Sequence, residues 1–83
     1  MKELYKFYLS TALYITISEA QDGSRLLLLK RDDDPAILHE ATLEPDQALS
    51  VIKILLAREP RLAKAGDDDI IKIVIAAIEY AKT

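Results

Sequence analysis

The sequence has no cysteine and no tryptophan, and among its 83 residues there is a single histidine, a single phenylalanine and only two glycines. Without cysteine, disulfides, thiolate chemistry and cysteine-ligated zinc are excluded together. With His39 as the lone imidazole and no serine in a nucleophile motif, neither a catalytic triad nor a histidine zinc site can be assembled within one chain. Gly23 and Gly66 are too few to build a phosphate-cradling loop, which removes nucleotide cofactors. Long apolar runs are missing as well. The longest, Ile73 to Ile78, falls far short of the ~18 residues a membrane span needs. No charged-then-apolar leader with a small-residue cleavage site is recognisable, so the expectation is a soluble, cytoplasmic protein with no membrane partner.

What the chain does have is aliphatic bulk. Hydrophobic residues make up 51% of it, mostly isoleucine, leucine and alanine. A single domain spanning residues 1–83 is expected, near the size at which folding buries only about 60–65% of the unfolded chain's surface. The net charge is −3. Residues 1–44 hold most of the acidic excess, with Lys2, Lys6, Arg25, Lys30 and Arg31 set against Glu3, Glu19, Asp22, Asp32, Asp33, Asp34, Glu40 and Glu44. Neither half is a basic surface for phosphates.

The densest apolar cluster is DDIIKIVIAAIEYAK, and a helix is predicted over about 68–82. At 3.6 residues per turn, Ile70, Ile71, Ile73, Val74, Ile75, Ala77, Ile78, Tyr80 and Ala81 cover roughly 220°, leaving Lys72, Ala76 and Glu79 outside. Such an arc is about twice the width that one covered face requires. Asp67, Asp68 and Asp69 cap its start and complement the helix dipole. A first helix is predicted over about 45–59, with Pro45 at its first position and Asp46 at the positive end of the dipole. Its apolar arc, Ala48, Leu49, Val51, Ile52, Ile54, Leu55 and Leu56, is equally wide. Pro60 to Ala65 reads as a short turn that stops at a left-handed Gly66.

Upstream, the alternation of Leu13, Ile15 and Ile17 with Tyr14, Thr16 and Ser18 is a strand pattern. Residues 2–10, KELYKFYLS, fit either period, and their aromatic content favours a strand. One continuous strand over about 4–18 would span ~50 Å at about 3.3 Å per residue, longer than its neighbour, so the excess must bend, bulge or pair elsewhere. Asp22-Gly23 supplies a hairpin turn, and a second strand returns over 25–31. Its four successive leucines place it in the middle of the sheet. After the break at Asp32-Asp33-Asp34-Pro35, a third strand runs over about 36–44, with Ile37, His39, Ala41 and Leu43 on one face. The fold class expected is α+β: a two-layer, three-stranded antiparallel meander with two helices on one face.

In that arrangement each helix touches the sheet and its sister helix, and apolar surface is left over for another molecule. The residues expected to form it are Ile54 on the first helix, Ile71, Ile75 and Ile78 on the second, and Tyr5, Phe7, Tyr8 and Leu9 along an open sheet edge. The aspartate triplets 32–34 and 67–69 lack the glycine and distal glutamate of a calcium loop and serve as turn and cap. No pair of titratable groups is spaced for acid and base roles. No catalytic residue, metal, cofactor or small-molecule substrate is expected.

Two resemblances bear on origin and partner. The strands leading into Leu43-Glu44-Pro45-Asp46-Gln47 resemble the strand-to-helix junction of the positive-cofactor coactivators that bind single-stranded DNA. That resemblance covers about half the chain and implies dimerisation through the helix. It further implies a sheet carrying nucleic acid on Tyr8, Tyr14, Arg25, Lys30 and Arg31, a role that the acidic first half opposes. Marked caps, short loops, Ile/Ala-rich helices and Gly66-Asp67-Asp68-Asp69 before an apolar helix look like computationally designed helical and α/β proteins. This second resemblance implies a non-enzymatic scaffold or interaction module. Its partner would be protein, a homo-oligomer or a designed partner chain, rather than nucleic acid.

Overall fold

A computed structural model describes residues 1–60, 62 and 65–81. Its elements run β1 (Lys2–Tyr8), β2 (Leu13–Glu19), β3 (Arg25–Arg31), β4 (Asp34–Thr42), α1 (Ala48–Arg58) and α2 (Asp67–Ala81). The four strands form one antiparallel sheet in the order β1-β2-β3-β4, and the helices follow as a second layer. The class is α+β, with four strands rather than three.

The extra strand comes from residues 4–18, which fold back on themselves instead of running straight. Tyr8 pairs with Tyr14 and Phe7 with Ile15, and the reversal between them has no glycine or proline. It is closed by Leu9 N–H donating to the Leu13 carbonyl at 2.8 Å and by Leu13 N–H donating to the Ser10 hydroxyl oxygen at 3.2 Å. A serine bonding local backbone supplies this turn. The next turn follows its sequence signal: Gly23 sits at φ 87°, and the Asp22 carboxylate accepts from the Ser24 N–H and hydroxyl at 3.0 and 2.6 Å. As the leucine run requires, β3 lies inside the sheet between β2 and β4, with Leu27, Leu28 and Leu29 all buried.

On β4 the alternation breaks at an irregularity. Leu29 pairs with His39 but Lys30 pairs with Ile37, so Leu38 is an extra residue. An inserted residue turns the side chains beyond it to the other face. Ile37 therefore leaves the face that His39 shares and stands exposed, while Leu38 packs against the core. Pro35 is tolerated because β4 is an edge strand.

The helices begin differently from expectation. Residues 45–47 form a turn, with Gln47 N–H donating to the Glu44 carbonyl at 3.0 Å, and α1 starts only at Ala48 without a side-chain cap or an acidic first turn. Gly66 is not in the left-handed region; its carbonyl accepts from Ile70 N–H at 3.1 Å and so opens α2 rather than closing the preceding turn. Asp67, Asp68 and Asp69 occupy the first turn of α2, where their charge suits the dipole. Of the expected 60–65 turn, residues 61, 63 and 64 lie outside the described residues, as does position 82 at the end of the expected second helix. The Leu62 and Ala65 N–H groups each bond a carbonyl three residues back, at 3.0 Å, and Leu62 is buried.

One continuous core joins the layers. Leu13, Ile15, Ile17, Leu27 and Leu29 from the sheet, with Leu43 just after β4, meet Ala48, Ile52 and Leu55 of α1 and Ile73, Ala76, Ala77 and Ala81 of α2. Ala76, expected on the outer stripe, is buried. Three alanines and one isoleucine, Ile73, make up the buried side of α2, so most of the larger residues of the arc are left off it. Ala77, with no exposed surface, tests this. Ala77→Leu should lower stability by about 1–3 kcal/mol through overpacking, read as a lower urea midpoint at unchanged m-value.

Candidate functional site

The apolar surface left outside the core falls into distinct places. On α2, Ile71, Ile75 and Ile78 are 54%, 51% and 37% exposed, although isoleucine is among the residues most often fully buried. Their i, i+4, i+7 spacing sets them in one stripe along the side facing away from the sheet. One flank of the stripe is charged: Lys72 and Glu79 line a shallow depression with Ile75, Ala76, Tyr5 and Tyr80. Tyr5 and Tyr80 hold that flank to β1, their ring centroids 5.7 Å apart. Burial, helped by Tyr80, raises the Tyr5 phenol above its ordinary range. The other flank belongs to α1, since Ile70 and Ile73 share an apolar seam with Ile52, Leu55 and Leu56.

Ile54, 51% exposed, is not part of that stripe. It borders a separate hollow between α1 and β4 with Val51, Leu55, Arg58, His39, Glu40 and Ala41. Here the structure makes a pair that spacing did not reveal: His39 Nε2 lies 3.2 Å from Glu59 Oε2. The Glu59 side chain is 5% exposed and His39 is partly buried at the sheet edge. The contact links edge strand β4 to the C-terminal cap of α1 across 20 residues of chain. Sequence reasoning missed the pair because a glutamate after an apolar arc reads as solvated, whereas Glu59 is buried.

Of the four residues placed on the open edge, Tyr5, Phe7 and Leu9 are half-buried and pack against the protein's own core. Only Tyr8 is exposed, on the opposite face of the sheet. There its ring lies 5.2 Å from that of Tyr14, and the Lys6 ammonium sits 5.0 and 4.4 Å above the two rings. Side-chain hydrogen bonding with Tyr8 raises the Lys6 pKa. Lys30 is paired in register with Tyr14 and so shares this face. The Tyr8 hydroxyl donates to Asp32 Oδ1 at 3.2 Å. Arg25 and Arg31 are engaged elsewhere. Arg25 bridges Glu19 at 3.1 Å and donates to the Tyr80 carbonyl, and Arg31 bridges Asp33 at 2.9 Å.

Among the described residues, no three of His, Asp and Glu gather as metal ligands, and no helix is long and apolar enough to cross a membrane.

Removing the imidazole by His39→Leu should cost about 1–3 kcal/mol, because a buried carboxylate loses a hydrogen-bond partner. His39→Gln should recover part of that loss, as measured by chemical denaturation. Comparison with protein-family models, curated proteins and solved structures found no match, so the reading of function rests on this geometry.

Proposed function

We propose that the chain is a non-enzymatic scaffold or interaction module, resident in the cytoplasm, that works by covering the outer stripe of α2 with another polypeptide. The observation that carries this reading is the outward exposure of Ile71, Ile75 and Ile78 together on one helix. Half-exposed, each of these side chains forgoes roughly half of the ~1.5–3 kcal/mol that full burial of an aliphatic side chain is worth, and three in one stripe make a contiguous apolar patch. The β1 edge is the weaker candidate, since Tyr5, Phe7 and Leu9 already serve the internal core. Three isoleucines on one helix are a small contact, so association in the micromolar range is expected rather than an obligate assembly.

Light scattering at tens to hundreds of micromolar should give a mass above the monomer's 9.3 kDa. Ile75→Glu should return it to the monomer while shifting monomer stability by no more than about 0.5 kcal/mol, as expected of an exposed site. A wild-type mass of 9.3 kDa at every concentration would sink the reading.

A second reading, a single-stranded nucleic-acid module, is favoured by the cluster of Tyr8, Tyr14, Lys6 and Lys30 on the face opposite the helices. Stacked bases on aromatic platforms beside cations are how such proteins bind without sequence preference. Its test is a salt-sensitive rise in the anisotropy of labelled oligo-dT at micromolar protein, lost in Tyr14→Ala. No rise at low salt removes it.

A further inference from the structure

Resting on the first of those readings, we infer that the occupant of the α2 stripe is a second copy of this chain, docked with the two α2 helices antiparallel. The charges beside the stripe carry the choice. Lys72 and Glu79 both border Ile75 on the flank next to Tyr5. Seven residues apart, they are offset by only about 20° around the helix and by about 10 Å along it. They therefore stand on one side of the stripe, one near each end, with opposite signs.

A two-fold axis relating antiparallel helices brings like flanks together and reverses their direction. With the axis passing near Ile75, Lys72 of each copy then faces Glu79 of the other, giving two ion pairs from one symmetric contact. The isoleucines meet in the same register, Ile71 of one copy against Ile78 of the second, with Ile75 at the centre. The ends agree as well. Asp67, Asp68 and Asp69 fill the first turn of α2. Antiparallel docking lays that acidic turn beside the partner's helix C-terminus and aligns the helix dipoles favourably. Parallel docking would instead set each aspartate triplet against its own copy. It would also turn these residues toward the partner's opposite flank, where Lys72 could meet Asp67 but Glu79 would face Val74, with no countercharge.

Charge reversal separates this arrangement from association in general. Lys72→Glu converts both interchain pairs into carboxylate pairs, and Glu79→Lys converts both into ammonium pairs. Each should raise the dimer Kd about tenfold or more, since two attractions become two repulsions. The double variant Lys72→Glu/Glu79→Lys restores the pairs with their signs exchanged and should return the Kd to within about twofold to threefold of wild type. An equimolar mixture of the two single variants should associate more tightly than either alone. Both positions are exposed, so circular dichroism should show every variant folded, and the double variant controls for any that is not. Sedimentation equilibrium at low salt reads all four proteins and the mixture. A dimer indifferent to both reversals would overturn antiparallel α2 docking and leave the interaction module standing. A wild-type monomer throughout would overturn both.

Discussion

The closeness of α2 to the sheet governs the shape of this molecule. Ala76, Ala77 and Ala81 are buried together with Ile73 on the inward side of the helix, and Ala77 has no exposed surface. A helix whose buried side is mostly alanine leaves much of its isoleucine content outside the core. The isoleucines at 71, 75 and 78 are consequently rotated outward, where a two-layer fold of this size has no third layer to cover them. The exposed stripe is thus the far side of the same helix that holds the core together.

The sheet shows the complementary division. Its inner strands β2 and β3 supply Ile15, Ile17, Leu27 and Leu29 to the helices, and their other face buries Thr16, Ser18 and Leu28. The Thr16 hydroxyl lacks a hydrogen-bond partner among the described residues, a cost that a small domain tolerates at few places. The edges are fastened separately. Tyr5 ties β1 to α2 through Tyr80, and His39 ties β4 to α1 through Glu59. Each helix is thereby anchored over one half of the sheet, which holds the outer face of α2 in a definite orientation.

Much of this was readable in the chain. The leucine run marked β3 as an interior strand, Asp22-Gly23 marked its hairpin, and the 3.6-residue pattern marked both helices to within a few residues. The turn after Tyr8 was hidden because serine, not glycine or proline, closes it. The flip of Ile37 was hidden because an inserted residue on an edge strand leaves no compositional trace. Ala76 illustrates a deeper difficulty: alanine is compatible with either side of a helix, so the 220° arc left open which part of it would be turned inward. The same ambiguity concealed that Ile54 and the α2 stripe lie in different places, and that a glutamate, Glu59, would be buried beside the only histidine.

By itself the sequence determined the periods: two for the strands, 3.6 for the helices, and an apolar arc wider than one neighbour can cover. Those are local properties, written by the spacing of side chains along the backbone. Only the tertiary structure decided which third of each arc faces inward, because that depends on how closely small side chains let two layers approach. It also brought together groups remote in the chain, such as His39 with Glu59 and Tyr5 with Tyr80. Such meetings follow from strand register and helix rotation, neither of which is stored at any single position.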